Sequence, residues 1–342
     1  CHLKGTTPTG ACRVCVVEVE GARTLVPACS TPAGAGMVVK TASPKVVAAR
    51  RTILELLLAS GSHNCAVPAG ENGDWTRFQL AVAAAEESDD LCPAWGDCKL
   101  QELAYAYQAR SDRYPRIPKT ETPPELANPM IVRDFSRCIL CGRCVQACNE
   151  VQVNRAISYG YRGSESKIVA AGDRPLAASD CVFCGECVQA CPVGALVEKK
   201  ARHVWRPWKG EKVRSTCPYC GVGCQQWLHV QDGRIVKATG VEDAEPNRGR
   251  LCVKGRFGYD FLYSEERLKT PLIREGDDFR EASWDEALDL VADRFKAIIA
   301  AHGPDALAGV SCARSINEDS YQMQKLFRAA IGTNNIDHCA RT

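Results

Sequence analysis

Apolar residues recur at two different periods along this chain. From Ser43 onward Val46, Val47, Ile53, Leu54, Leu57 and Leu58 share one helical face, with Pro44 in the first turn and Gly61 past the end. Upstream, the run VCVVEVEGARTLV alternates and predicts a β-hairpin turning at Gly21. Near the other end, Ser283 and Glu286 form a capping box that opens a helix from Trp284 to about Ala301, stopped by His302-Gly303-Pro304. ALAGVSC, Ala306 to Cys312, then reads as a buried strand, and Glu318 to Ile331 as a second helix. That α-β-α order predicts the start of an α/β domain. Between these regions Pro115, Pro118, Pro123, Pro124 and Pro129 make residues 108–135 an extended connector. No apolar run approaches the roughly 18 residues of a membrane span.

Composition adds one decisive number. The chain has 342 residues, enough for two or three domains, and 21 of them are cysteine. Most of these thiols sit in C-x2-C pairs, where neighbours chelate more readily than they bridge, so a reducing, cytosol-like compartment is expected. Net charge is +2 without strong charged blocks, which gives no reason to expect nucleic acid or a membrane surface as partner. The basic stretch Lys199 to Arg214, with Trp205 and Trp208 interleaved, could face a single strand; a linker with packed tryptophans is the plainer reading.

One phrase is written twice: CILCGRCVQACN from Cys138 and CVFCGECVQACP from Cys181. Each is C-x2-C-x2-C-x3-C, in which three thiolates wrap one iron-sulfur cube and the fourth reaches the cluster of the other copy. Cys138, Cys141, Cys144 and Cys191 then form one [4Fe-4S] set, and Cys181, Cys184, Cys187 and Cys148 a second. Paired zinc sites compete poorly, because zinc knuckles rarely use this tight spacing twice. The segment resembles a bacterial two-cluster ferredoxin, with Asn149 standing where the second copy has Pro192; that departure is expected to matter little.

Two further groups precede it. Cys1, Cys12, Cys15 and Cys29 lie in a glycine-rich stretch, and their spacing resembles the N-terminal [2Fe-2S] module of complex I-like and hydrogenase-like electron carriers. A zinc site is the competing reading. His63, Cys65, Cys92 and Cys98 resemble the one-histidine, three-cysteine [4Fe-4S] motif of the same carriers, with residues 66–91 as an insertion.

Downstream, Cys217, Cys220, Cys224 and Cys252 follow a different grammar, C-x2-C-x3-C-x27-C. With RLKTPLIR, SWDEAL and IGTNNIDHCAR, they closely resemble the opening of molybdenum or tungsten bis-pyranopterin (bis-MGD) oxidoreductases, in particular formate dehydrogenases and periplasmic-type nitrate reductases. By that resemblance Lys254 lies between the cluster and the proximal pterin.

The expected fold is an α+β multidomain iron-sulfur protein: a partial [2Fe-2S] β-grasp module (1–42), a one-histidine module (43–107), a linker (108–135), a tandem 2[4Fe-4S] ferredoxin (136–198), a second linker (199–214), a cluster domain (215–270) and the start of an α/β bis-MGD domain (271–342). One [2Fe-2S] and four [4Fe-4S] clusters would use nineteen cysteines and His63. Cys312 and Cys339 are left over and are read as small buried residues. The resemblance implies formate oxidation or CO2 reduction at a metal held just past Thr342, by a cysteine or by a selenocysteine whose UGA codon was taken as a stop. It also implies a flavin partner subunit that reduces NAD or NADP. The alternative is a non-catalytic electron carrier of a complex I-like or hydrogenase assembly.

Overall fold

The computed structural model describes residues 1–63, 92–115 and 123–340. Cys65, the insertion at 66–91, Pro118 of the connector and the final Arg341-Thr342 lie outside the described residues. The chain divides into two compact units: residues 1–213, 228–239 and 251–253 form the first, and 214–227, 240–250 and 254–342 the second.

In the first unit the alternating run folds as expected. β1 (Val16–Val19) pairs antiparallel with β2 (Val26–Pro27), Val16 opposite Pro27, and with β3 (Val39–Lys40) on its other edge. Gly21 takes φ +81° in the turn, a conformation a Cβ would penalise. Helix α1 (Pro44–Ala59) starts where Ser43 Oγ accepts the Val46 N–H at 3.3 Å, a cap worth about 1 kcal/mol. Of its buried residues, Leu54 and Leu58 meet Leu100 and Ala104 of α2 (Lys99–Ala106). Each of those leucines contributes on the order of 1.5–3 kcal/mol by leaving water.

The tandem segment is bracketed by a two-stranded ladder. β4 (Ile131–Arg133) pairs antiparallel with β7 (Leu196–Glu198), so its entry and exit meet. Between them come α3 (Arg143–Gln146), the hairpin β5 (Ile157–Gly160) and β6 (Lys167–Ala170), and α4 (Glu186–Ala190). One apolar core joins the parts: Leu54, Leu58, Trp95 and Leu100 pack with Val193 and Ala195, and Cys98, Cys138 and Cys191 lie against it.

β8 (Gly210–Thr216), β9 (Gln225–Gln231) and β10 (Arg234–Gly240) form a sheet in the order β10-β9-β8 that supplies residues to both units. Helix α5 (Val253–Phe257) follows.

The second unit continues with the hairpin β11 (Leu272–Glu275) and β12 (Asp278–Glu281), then α6 (Trp284–His302), β13 (Gly309–Ser311), α7 (Asn317–Lys325) with a wider turn through Ile331, and β14 (Ile336–His338). Ser283 Oγ caps α6 by accepting the Glu286 N–H at 3.1 Å. The Glu286 carboxylate, expected to complete the box, instead pairs with Arg280. β13 runs parallel to β14, as an α/β start requires. The expectation of a buried strand is corrected: Gly309 is buried against the Phe327 ring, but Val310 is 75% exposed, because the pleat turns it to the face that α7 does not cover. Among the described residues no helix is long and apolar enough to cross a membrane.

Candidate iron-sulfur sites

The two copies of the repeated phrase build the same loop. Leu140 and Phe183 sit at φ +52° and +53°, and Gly142 and Gly185, at φ +77° and +76°, start helices α3 and α4. Those left-handed residues bend the backbone so that its N–H groups point inward. Leu140 N–H donates to Cys138 Sγ, and Phe183 N–H to Cys181 Sγ, both at 3.4 Å. The loops face one cavity, lined by all eight cysteines, Cys138, Cys141, Cys144, Cys148, Cys181, Cys184, Cys187 and Cys191, among apolar groups such as Ile131, Phe135 and Ile157.

The copies interleave. Burial pushes the Cys191 thiol up to about 12, with Cys141 and Cys138 of the first copy adding to it, and Cys181 is raised by burial and then by Cys148. Burial likewise raises Cys144 well above the usual thiol range, and Cys191 is its foremost charged neighbour. Burial holds Cys141, Cys144, Cys181, Cys187 and Cys191 toward the neutral thiol, and Cys191 Sγ donates to Val193 O at 3.0 Å as a neutral thiol does. A polycationic iron core would supply the missing charge and expel the protons. Soft thiols ringed around an apolar-walled cavity suit an iron-sulfur cluster in their donor chemistry.

Exits from the two copies differ. After Cys148 the helix runs on as a wider turn, Ala147–Val151, carrying Glu150 to the Thr7 N–H at 2.7 Å, while Gln146 Nε2 donates to Thr7 O at 2.6 Å. After Cys191 the chain is extended, φ −67° and ψ 121°, and Pro192 O accepts the Lys99 N–H at 2.9 Å and the Cys98 thiol at 3.5 Å. A third tie leaves the head of α4, where Glu186 Oε1 accepts the Leu251 N–H at 3.0 Å, beside Cys252.

In the first module the four cysteines meet in pairs. Cys12 N–H points at Cys1 Sγ at 3.4 Å, and Cys29, raised first by burial, is raised next by its hydrogen bond with Cys15. Two thiols for each of two irons is the donor arrangement a [2Fe-2S] rhombus uses. In the second module His63 and Cys92 are buried, and Cys98 stands directly before α2. Cys217 is buried at the end of β8, and its N–H donates to Cys224 O at 2.8 Å; Cys220 sits in the turn between them. Cys252 is exposed and lies in the first unit, directly before α5, which carries the half-buried Lys254. The two leftover cysteines are corrected: Cys312 is half-buried and Cys339 exposed, and their sulfurs are 3.5 Å apart. The strands β13 and β14 end there together.

Sequence reading passed over two residues beside these sites. Arg206, in the stretch taken as a linker, is buried and donates through Nη1 to Cys92 O at 3.2 Å and Pro93 O at 3.5 Å, holding the Cys92 loop. Trp205 is buried beside it, whereas Trp208 stays 42% exposed over Gly96. Tyr159, on β5, donates to Leu140 O at 3.2 Å, and burial followed by Cys141 and Cys144 pushes its phenol up to about 12. A signal existed for the second: an aromatic on the strand following the first copy, with no counterpart after the second.

Four family models match the chain in order. They are a 2Fe-2S iron-sulfur cluster binding domain over residues 2–44, a 4Fe-4S dicluster domain over 137–195, a molybdopterin oxidoreductase Fe4S4 domain over 211–264 and molybdopterin oxidoreductase over 267–342. The chain is 38% identical over 341 residues to an NADPH-Fe(3+) oxidoreductase subunit alpha of Geobacter sulfurreducens. It is 34% identical over 343 residues to a subunit of an NADH-quinone oxidoreductase of Rhizobium meliloti. It is 33% identical over 380 residues to a Staphylococcus aureus protein provisionally named a formate dehydrogenase. Each alignment takes in 100% of this chain and 36% of the relative, so the chain spans about a third of the length of these curated relatives. With cluster-binding and pterin-enzyme domains matched consecutively along one polypeptide, the chain belongs to the molybdopterin oxidoreductases that carry N-terminal iron-sulfur modules.

Proposed function

We propose that this chain is the electron-transferring part of a formate dehydrogenase, working in either direction between formate and CO2. The reaction centre, a molybdenum or tungsten bis-MGD, would be borne by the longer polypeptide. Cys1, Cys12, Cys15 and Cys29 would hold a [2Fe-2S] cluster; His63, Cys65, Cys92 and Cys98, the two crossed tandem sets, and Cys217, Cys220, Cys224 and Cys252 would each hold a [4Fe-4S] cluster, with Lys254 beside the last. Bound there, these groups would supply one-electron transfer. The protein's own part is to hold them close and dry. The observation that carries the reading is the tandem segment acting as a hub: its two exits hydrogen-bond the first module at Thr7 and the second through Pro192, and the head of α4 holds the Cys252 segment through Glu186. A flavin-bearing subunit that exchanges electrons with NAD or NADP, in the cytoplasm, is the proposed partner. The formate assignment is supported by the phrase IGTNNIDHCAR and by one relative's name.

A second reading, an electron-transfer subunit of an NAD(P)H-linked assembly without formate chemistry, is favoured by the names of the Geobacter and Rhizobium relatives. Anaerobic mixing of the full-length protein and its co-purifying subunits separates the two. Formate alone should bleach the visible iron-sulfur absorption, and molybdenum or tungsten should be present at about one atom per chain. Bleaching by NADH or NADPH only, in protein free of both metals, sinks the formate reading and leaves the second.

A further inference from the structure

The parallel ladder of β13 and β14 pairs Gly309 with Ile336 and Ser311 with His338, so the next rung brings Cys312 alongside Cys339. Both strands stop just before that rung, and the two sulfurs lie 3.5 Å apart. Neighbouring strands are about 4.8 Å apart, within reach of the ~4.4–6.8 Å Cα separation a disulfide takes, so closing the bond needs side-chain rotation rather than strand movement. These are also the two cysteines that no cluster motif claims. We infer that Cys312 and Cys339 form a reversible dithiol/disulfide pair, a redox-sensitive clasp between β13 and β14 that is separate from the electron-carrying sites.

The environment makes Cys312 the attacking sulfur. Its thiol is lowered by the Arg314 N–H, which donates to Cys312 Sγ at 3.4 Å, and next by its hydrogen bond with Cys339. Against a small-molecule disulfide such as oxidised glutathione, the Cys312 thiolate attacks one sulfur, the S–S bond breaks, and one glutathione leaves as a thiolate that takes up the Cys312 proton. Cys339 then gives up its proton and attacks Cys312 sulfur, expelling the second glutathione. Two protein thiols are oxidised, one external disulfide is reduced to two thiols, and no electron is left over. The clasp would tie the end of the first strand of the α/β domain to the strand after α7, fixing the loop that leads out of β14.

The test uses the full-length protein, equilibrated anaerobically in glutathione buffers of graded ratio, quenched with an alkylating agent and digested with trypsin. Residues 297–314 and 329–341 are single-cysteine tryptic peptides, so the clasp would be seen as these two joined, two hydrogen masses below their sum. The joined peptide should rise as the buffer becomes more oxidising and vanish on reduction. Cys339→Ser should instead leave Cys312 carrying one glutathione, at least tenfold more than Cys339 carries in Cys312→Ser. Free alkylation of both cysteines at every ratio, or protection of both without any joined peptide, overturns the inference. The wild-type readout stands even if a variant folds poorly.

Discussion

The two copies of the cysteine phrase are nearly one sequence and nearly one loop, yet they leave their last cysteine in different directions. Through the third cysteine the backbones agree to within a degree or two of φ at the left-handed positions. They part at Asn149 and Pro192. Proline disfavours the helical conformation in the residue before it, so Cys191 is extended and α4 stops at Ala190. Asparagine makes no such demand, and the helix runs through Cys148 to Val151. The consequence is a division of labour: the extended exit touches the Cys98 module and the helical exit touches the Thr7 loop. The departure expected to matter little is what makes one repeat a junction with two different neighbours.

The largest break in this comparison is the loss of a crossing ligand. Cys191→Ala should empty the set built on Cys138, Cys141 and Cys144, while Cys148→Ala should empty the set built on Cys181, Cys184 and Cys187. Each costs about four irons per chain. Iron analysis with EPR of the reduced protein checks this, and the two variants must remove different signals. If each variant removes the signal of its own copy instead, the copies do not interleave.

Next comes the exchange of the divergent residues. Asn149→Pro should cost about 3 kcal/mol or more, since proline inside a helix removes a donor and crowds the preceding turn. It should also free the Thr7 loop, read as faster amide exchange at Thr7. Pro192→Asn should be far milder, because an extended exit accepts any residue. Equal losses from the two, measured by denaturant unfolding, would show that the helical exit tolerates proline as well as the extended exit tolerates its loss.

A pH profile separates acid unfolding from acid loss of clusters. His229 lies against the Trp205 ring, centroids 4.8 Å apart, with Nε2 2.9 Å from Thr239 Oγ1. Burial, with Lys237 and Lys212 behind it, pushes its imidazole down from 6.5 to about 3. Below pH 6.5 the unfolded chain takes up a proton that the folded chain refuses. Stability present above that pH is therefore lost as pH falls toward 3, by up to about 1.4 kcal/mol per pH unit. His229→Gln should flatten the slope without altering EPR signals; an unchanged slope shows that other groups set it.

Much of this was legible in the chain. The tandem loops follow from cysteine spacing and the glycines at 142 and 185, and α1 and α6 from Ser43 and Ser283 caps placed before apolar periodicity. What was not legible depends on residues far apart in sequence. Arg206 reaches the Cys92 loop across more than a hundred positions, so its stretch read as a linker. Glu286 satisfied a local capping rule that Arg280 outbid with a charge. Cys312 and Cys339, 27 residues apart, had no reason to be neighbours until β13 and β14 paired in parallel.

The finest test concerns Tyr159, which lies against the first copy; the strand after the second, Leu196–Glu198, carries no aromatic residue. Tyr159 is half-exposed, its hydroxyl donating to Leu140 O, and it closes over Gly142, whose φ of +77° favours glycine as the φ of Gly185 does in the second copy. With its phenol at about 12 the group remains a neutral donor in the working range. Tyr159→Phe removes one hydrogen bond, about 0.5–1.5 kcal/mol, and leaves the ring in place, so the midpoint potential of the adjacent cluster should hardly move. Tyr159→Ala also admits water. Water favours the more negatively charged reduced cluster, so the potential of the first-copy cluster alone should rise. Redox-poised EPR resolves the two tandem signals once the cysteine variants have assigned them. A shift shared equally by both, or no shift in Tyr159→Ala, would mean that the asymmetry between the copies lies in their exits and not in their exposure to solvent.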